Sequence, residues 1–201
     1  MINDSPSVHP GFVDPSRRML LLLTVIATNT LYSSSILVAS ALLPQLQGAL
    51  LATQDEVSWT MTFNIVASAI ATPTSGWLAG RFGSRSSLLG CVLLFALSTA
   101  MCGASSSLGE MVVWRIVQGA AGAPIVPIGQ ALLFDGFPRR QHATVMAIFG
   151  MANMVGPVLG PLLAGEISEV YGWRWGFWML LPITAASFAG LYFVLPRDVP
   201  E

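Results

Sequence analysis

Six apolar runs separated by short polar stretches make up most of the chain. They cover residues 19–43, 57–78, 86–103, 111–134, 143–164 and 175–195. Each is near the about 20 residues a helix needs to cross about 30 Å of hydrocarbon. The pattern predicts an all-α integral membrane fold, a six-transmembrane-helix bundle. Pro44 ends the first run, and residues 45–56 read as a polar loop with Asp55 and Glu56. Further loops are expected at 104–110, at 135–142, and around Glu166 and Glu169. A signal peptide would have a shorter apolar region and a cleavage site before the next span, so the first run reads as a membrane helix. Residues 1–16, polar and proline-bearing, are expected to form a flexible cytoplasmic tail, residues 17–195 the bundle, and residues 196–201 the cytoplasmic exit of its last helix, where truncation is expected.

Charge gives the bundle a direction. Only 9% of residues are charged and 54% are apolar, with mean hydropathy +0.68, whereas a soluble domain has about a quarter charged. Alternate polar stretches place Arg17, Arg18, Arg81, Arg85, Arg139, Arg140 and Arg197 on one side, and only Arg174, beside Asp55, Glu56, Glu110, Glu166 and Glu169, on the other. Basic residues mark the cytoplasmic side, so both termini are expected there. The net charge of -1 argues against nucleic acid as a partner. The aromatic residues Trp59, Tyr171, Trp173, Trp175, Phe177 and Trp178 fall at the opposite side and read as an interfacial belt.

Candidate chemistry is sparse. Cys91 and Cys102 lack metal or redox spacing and read as small buried hydrophobes. His9 and His142 fall in the tail and a loop, leaving no base inside a span, and no hydrolase or metalloprotease motif occurs. An enzyme is therefore not expected, nor is a metal or cofactor. Arg115 is the single charge well inside an apolar run. Facing lipid it would cost at least about 2.5 kcal/mol, so it should point into the bundle, a wet cavity or the interface. There it either ties to carbonyls of another helix or serves substrate passage or proton coupling, with Gln118 on the same face. Residues 156–161 alternate Gly156, Pro157, Gly160 and Pro161. Prolines free helical carbonyls and glycines allow close approach, which gives either a gating helix or a packing seam.

Between the second and third runs lies GWLAGRFGSRSSL, residues 76–88. It resembles the loop 2–3 motif of the major facilitator superfamily at Gly76, Leu78, Ala79, Arg81, Gly83, Arg85 and Leu88, with Gly80 where the family carries Asp. Arg115, Gln118 and Gly119 resemble its fourth-helix R-x-x-Q-G motif, and Gly156, Pro157 and Gly160 its antiporter motif, with Pro161 replacing the last glycine. The sequence is most similar to the 14-span drug:proton antiporters of the EmrB/QacA type. At the first-helix positions where that subfamily carries Asp and Asn, this chain has Ser35 and Ser40. The resemblance implies the N-terminal half of a proton-coupled, alternating-access exporter of amphipathic, often cationic, small molecules in the bacterial inner membrane. Arg115, Gln118, Ser35 and Ser40 would then meet substrate or protons, and the turn at Gly76, Gly80, Arg81, Gly83 and Arg85 would gate. The missing Asp at Gly80 implies a weaker inner-side latch, and Ser35 leaves the coupling site open. Because the family works with two bundles, the expected partner is a missing C-terminal half or a second copy. Other readings are a dimerising half-transporter, an exporter of a specific metabolite or lipid-like compound, or a non-transporting membrane interaction protein.

Overall fold

The computed structural model describes residues 14–195, and all of its regular structure is helical. Most of the expected tail with His9, Arg197, and the exit at 196–201 lie outside the described residues. The helices are α1 (Pro15–Ala41), α2 (Leu43–Leu50), α3 (Gln54–Ala71), α4 (Ser75–Phe82), α5 (Ser84–Ala104), α6 (Leu108–Gly122), α7 (Ile125–Gly136), α8 (His142–Tyr171), α9 (Trp173–Trp178) and α10 (Leu180–Val194).

Among the described residues, five helical stretches are long and apolar enough to cross a membrane: Pro15–Ala41, Ser84–Ala104, Leu108–Gly136, Arg139–Tyr171 and Trp173–Val194. The run expected at 57–78 is not among them. It is broken by a 3-10 turn at Thr72–Thr74, where Pro73 removes a helical donor, and α3 starts with Asp55 and Glu56 in its first turn.

Several boundaries differ from the sequence reading, each for a local reason. Pro44 begins α2 instead of a loop, because proline is tolerated in a first turn where its missing N–H has no partner to lose. Leu51 closes α2 in the left-handed region, and Thr53 opens α3 with a capping box: its hydroxyl accepts from the Glu56 N–H while Glu56 accepts from the Thr53 N–H. The run at 111–134 is divided between Gly122 and Ile125, next to Pro124. The helix expected at 143–164 runs on to Tyr171, so Glu166 and Glu169 lie in its last two turns rather than in a loop. The aromatic belt is also divided. Tyr171, Trp175 and Trp59 are exposed, but Trp173 and Phe177 are buried in the core.

Packing couples helices far apart in sequence. The most extensive contacts are α1 on α8 and α3 on α6. Two apolar clusters fill the bundle. One joins Leu21, Val25, Leu88, Phe95, Ile128 and Leu191, and the other joins Val38, Leu46, Val57, Met111, Ala164 and Phe177. Along α1, α5 and α6 the change from one cluster to the other occurs around Ser35, Thr99 and Arg115. A polar layer therefore crosses the middle of the bundle.

Candidate functional site

That polar layer is built around Arg115. It is wholly buried, the largest side chain with so little exposure. Its Nε donates to Thr60 O at 3.2 Å, Nη1 to Ser35 O at 2.9 Å and to Gln118 Oε1 at 2.6 Å, and Nη2 to Ile36 O at 3.2 Å. Gln118 passes the network on: its Nε2 donates to Thr99 Oγ1 at 2.7 Å. One side chain on α6 thus ties α1, α3 and, through Gln118, α5. Burying a guanidinium is costly unless its donors are matched, and here carbonyl oxygens and an amide supply the match.

The structure brings Arg115, Gln118 and Ser35 together, Ser35 through its carbonyl, since its hydroxyl donates to Tyr32 O on its own helix. Ser40 does not join them. Its hydroxyl donates to Leu37 O, more than one turn farther along α1.

Sequence reasoning missed Thr60, Asn64 and Ser68. They stand four apart on one face of α3, a spacing visible in the sequence. Asn64 Nδ2 donates to Arg115 O at 2.8 Å, and Ser68 Oγ to Gly119 O at 3.1 Å. A Cβ on Gly119 would run into the backbone carbonyl of Asn64, so the α3–α6 seam requires glycine there.

The α1–α8 seam follows the same logic. Thr30 Oγ1 donates to Ala152 O at 3.3 Å, Ser33 Oγ to Asn153 Oδ1, and Ser34 Oγ to Gly156 O at 2.9 Å. Gly156 and Gly160 are buried against α1. A Cβ on Gly156 would lie 2.5 Å from Thr30 O, and one on Gly160 2.7 Å from Ser34 Cβ. Pro157 and Pro161 are half-buried, and α8 continues through both. The two readings of this segment converge on geometry: it packs as a seam, with an apolar edge from Met151 to Leu163 left bare on the other side.

The glycine- and arginine-bearing turn is mostly helical. Gly76 and Gly80 lie on α4 with open space where a side chain would be, and Arg81 is exposed in its last turn. Gly83 alone makes the turn, with φ of 82°, a conformation other residues rarely adopt. Ser87 Oγ then donates to Leu78 O at 2.8 Å and closes the two helices together. Arg85 reaches α10, where Nη2 donates to Tyr192 O at 2.9 Å and the guanidinium stacks on the Tyr192 ring at 5.3 Å. The described residues contain no cluster of potential metal ligands.

The sequence and fold can be compared with known proteins. The family model described as Major Facilitator Superfamily matches residues 21–201. The chain is similar to a Multidrug resistance protein B homolog of Mycobacterium tuberculosis (strain ATCC 25618 / H37Rv), 38% identical over 148 residues, covering 74% of this chain and 27% of that protein. It is similar to the Multidrug export protein EmrB of Escherichia coli (strain K12), 35% identical over 149 residues, covering 74% of this chain and 29% of that protein. The chain therefore spans less than a third of the length of these curated relatives. Among solved structures, the partially occluded inward-open xylose transporter XylE from E. coli superposes with a TM-score of 0.79 at 17% identity, over 90% of this chain and 50% of that one. At that identity the likeness shows the fold alone.

Proposed function

The chain belongs to the major facilitator superfamily, and on that premise we propose that it is the N-terminal six-helix half of a secondary-active exporter of small amphipathic compounds. The observation that carries this reading is the 35–38% identity to multidrug resistance and export proteins over 74% of the chain. In this reading α3 and α4 together supply the second span, bent at Pro73, while α6 with α7 supply the fourth and α9 with α10 the sixth. Domain limits follow as a cytoplasmic tail at 1–16, the bundle at 17–195 and a cytoplasmic exit at 196–201. The arginine bias supports a cytoplasmic position for both termini, and the relatives support a bacterial inner membrane. A transporter of this class moves cargo between two bundles that rock against each other. A second bundle, in further sequence or a second copy, would cover the bare edge of α8. Protons are the proposed coupling ion, and their acceptor would lie in that second bundle.

Within this half, Arg115 and Gln118 hold the polar layer of the transport path with the Ser35 carbonyl on α1, and Ser40 would meet cargo more than one turn farther along the same helix. Gly156, Pro157, Gly160 and Pro161 shape the α1–α8 seam as a sealing element. Arg81 and Arg85 hold the inner-side latch and do not touch cargo, while Gly83 gives the latch its close turn and Gly76 and Gly80 leave open space on α4 beside it. The test is dye efflux from an efflux-deficient bacterium producing the protein from its complete reading frame. Energy-dependent loss of dye that a protonophore abolishes is the expected result. Normal membrane abundance with unchanged retention of every dye and drug tested would turn the reading toward a membrane interaction protein. Arg115→Ala separates roles at the site: transport lost per folded copy supports a path residue, and transport intact per folded copy supports a purely structural one.

A further inference from the structure

The guanidinium in the middle of this bundle carries a charge that no acidic group among the described residues pairs with. Arg115 gives four of its five N–H donors to the Ser35, Ile36 and Thr60 carbonyls and to Gln118 Oε1, all neutral acceptors. The fifth, on Nη2, has no acceptor among the described residues. In the same layer Asn64 Oδ1 is buried without a partner. Every acid of the described helices lies in a first turn or in the last two turns: Asp55, Glu56, Glu110, Asp135, Glu166 and Glu169. Carbonyl dipoles solvate a cation but leave its net charge in place, and arginine keeps its proton in proteins.

An uncancelled charge in an apolar bundle acts beyond its contacts. With an effective dielectric of about 20, a unit charge about 10 Å away changes the occupancy of an ion by a factor on the order of ten, up for an anion and down for a cation. Surface arginines lose this reach to salt screening, whereas a fully buried one keeps it. We propose that this bundle, acting in the exporter reading given above, selects amphipathic organic anions through the uncompensated charge of Arg115. A carboxylate or sulfonate on an apolar frame is the expected cargo chemistry, and the cationic cargo suggested by the sequence resemblance is disfavoured.

The experiment uses two dyes on one xanthene frame, carboxyfluorescein as the anion and a rhodamine ester as the cation. Binding to the detergent-purified, full-length protein and flux into inverted vesicles are measured for both. Two variants neutralise the charge without removing Arg115. Gln118→Glu is isosteric and places a carboxylate on a group that already accepts from Nη1. Ser35→Asp does so from α1 and serves if Gln118→Glu fails to fold. The expected result is a roughly tenfold preference for the anion that falls toward unity in either variant. Cation preference in the unaltered protein, or an anion preference unchanged in a folded variant, overturns the proposal. Anion-selective binding without vesicle flux of either dye upholds the charge selection and refutes the exporter reading instead. Flux of both dyes without charge preference does the reverse.

Discussion

Gly156→Ala should loosen the bundle far more than the same substitution at Gly150 or Gly165 on the same helix. Its Cβ would lie 2.5 Å from Thr30 O, 3.1 Å from Ser34 Oγ and 3.2 Å from Ser33 Cβ. The first of these is backbone, so rotamer changes cannot relieve it, and α8 must move off α1. Overpacking of this kind costs about 1–3 kcal/mol. The shift also strains the three hydroxyl bonds of the seam, from Thr30, Ser33 and Ser34, at about 0.6 kcal/mol each in a membrane bundle. Alanine regains about 1 kcal/mol of helix propensity over glycine. The balance is a loss of about 2–4 kcal/mol, a fall in midpoint on the order of 5–10 °C. Thermal unfolding in mild detergent, followed with a thiol-reactive fluorogenic dye, reads it directly, since Cys91 and Cys102 are both buried until the bundle opens. Gly150→Ala and Gly165→Ala are the controls, because a Cβ at either position meets nothing within 4 Å. They should be neutral or slightly stabilising. If Gly156→Ala unfolds at the same temperature as these controls, close approach of α8 to α1 is not what holds the seam.

Three other outcomes are expected. Arg115→Ala removes four hydrogen bonds from the polar layer and should cost at least about 2–4 kcal/mol, read as a lower midpoint in the same thiol assay. Gly80→Asp should leave the midpoint unchanged, because the site is open; a fall in midpoint would show that the position is packed. The Glu56 carboxyl is held below its ordinary range by hydrogen bonds from the Thr53 backbone and hydroxyl. A depressed folded value means its contribution is present at neutral pH and is lost as pH falls through that value. Midpoints measured from pH 7 downward should show a step in that window that Glu56→Gln abolishes.

Hydropathy located the five helical stretches long enough to cross a membrane, since charge is nearly absent from those runs and dense between them, but not the break in the run at 57–78. It failed where backbone chemistry is local. Pro44 looks like a stop and is instead a first-turn proline of α2; Glu166 and Glu169 look like loop residues, but a helix that reaches the water keeps its hydrogen bonds and continues. Of the site, Arg115 and Gln118 were legible because charge and amide stand out in an apolar run. Thr60, Asn64, Ser68 and Thr99 were not, because a neutral polar side chain in a span costs too little to demand a partner, and its role appears only when the facing carbonyl is known. Ser40 shows the converse: a position singled out by motif alone bonds within its own helix.

The pairing of α1 with α8 sets a condition on synthesis. Ser34 and its acceptor on Gly156 are 122 residues apart, and at about 5–20 residues per second a ribosome needs about 6–25 s to make the intervening chain. The first helix must wait in the bilayer for that time with its serine-rich face unmatched. The Ser34 hydroxyl has a second bond, to Thr30 O of its own helix at 2.8 Å, which can shelter it from lipid during the delay. The seam thus assembles late, and insertion machinery that holds early helices together would set the yield of this protein.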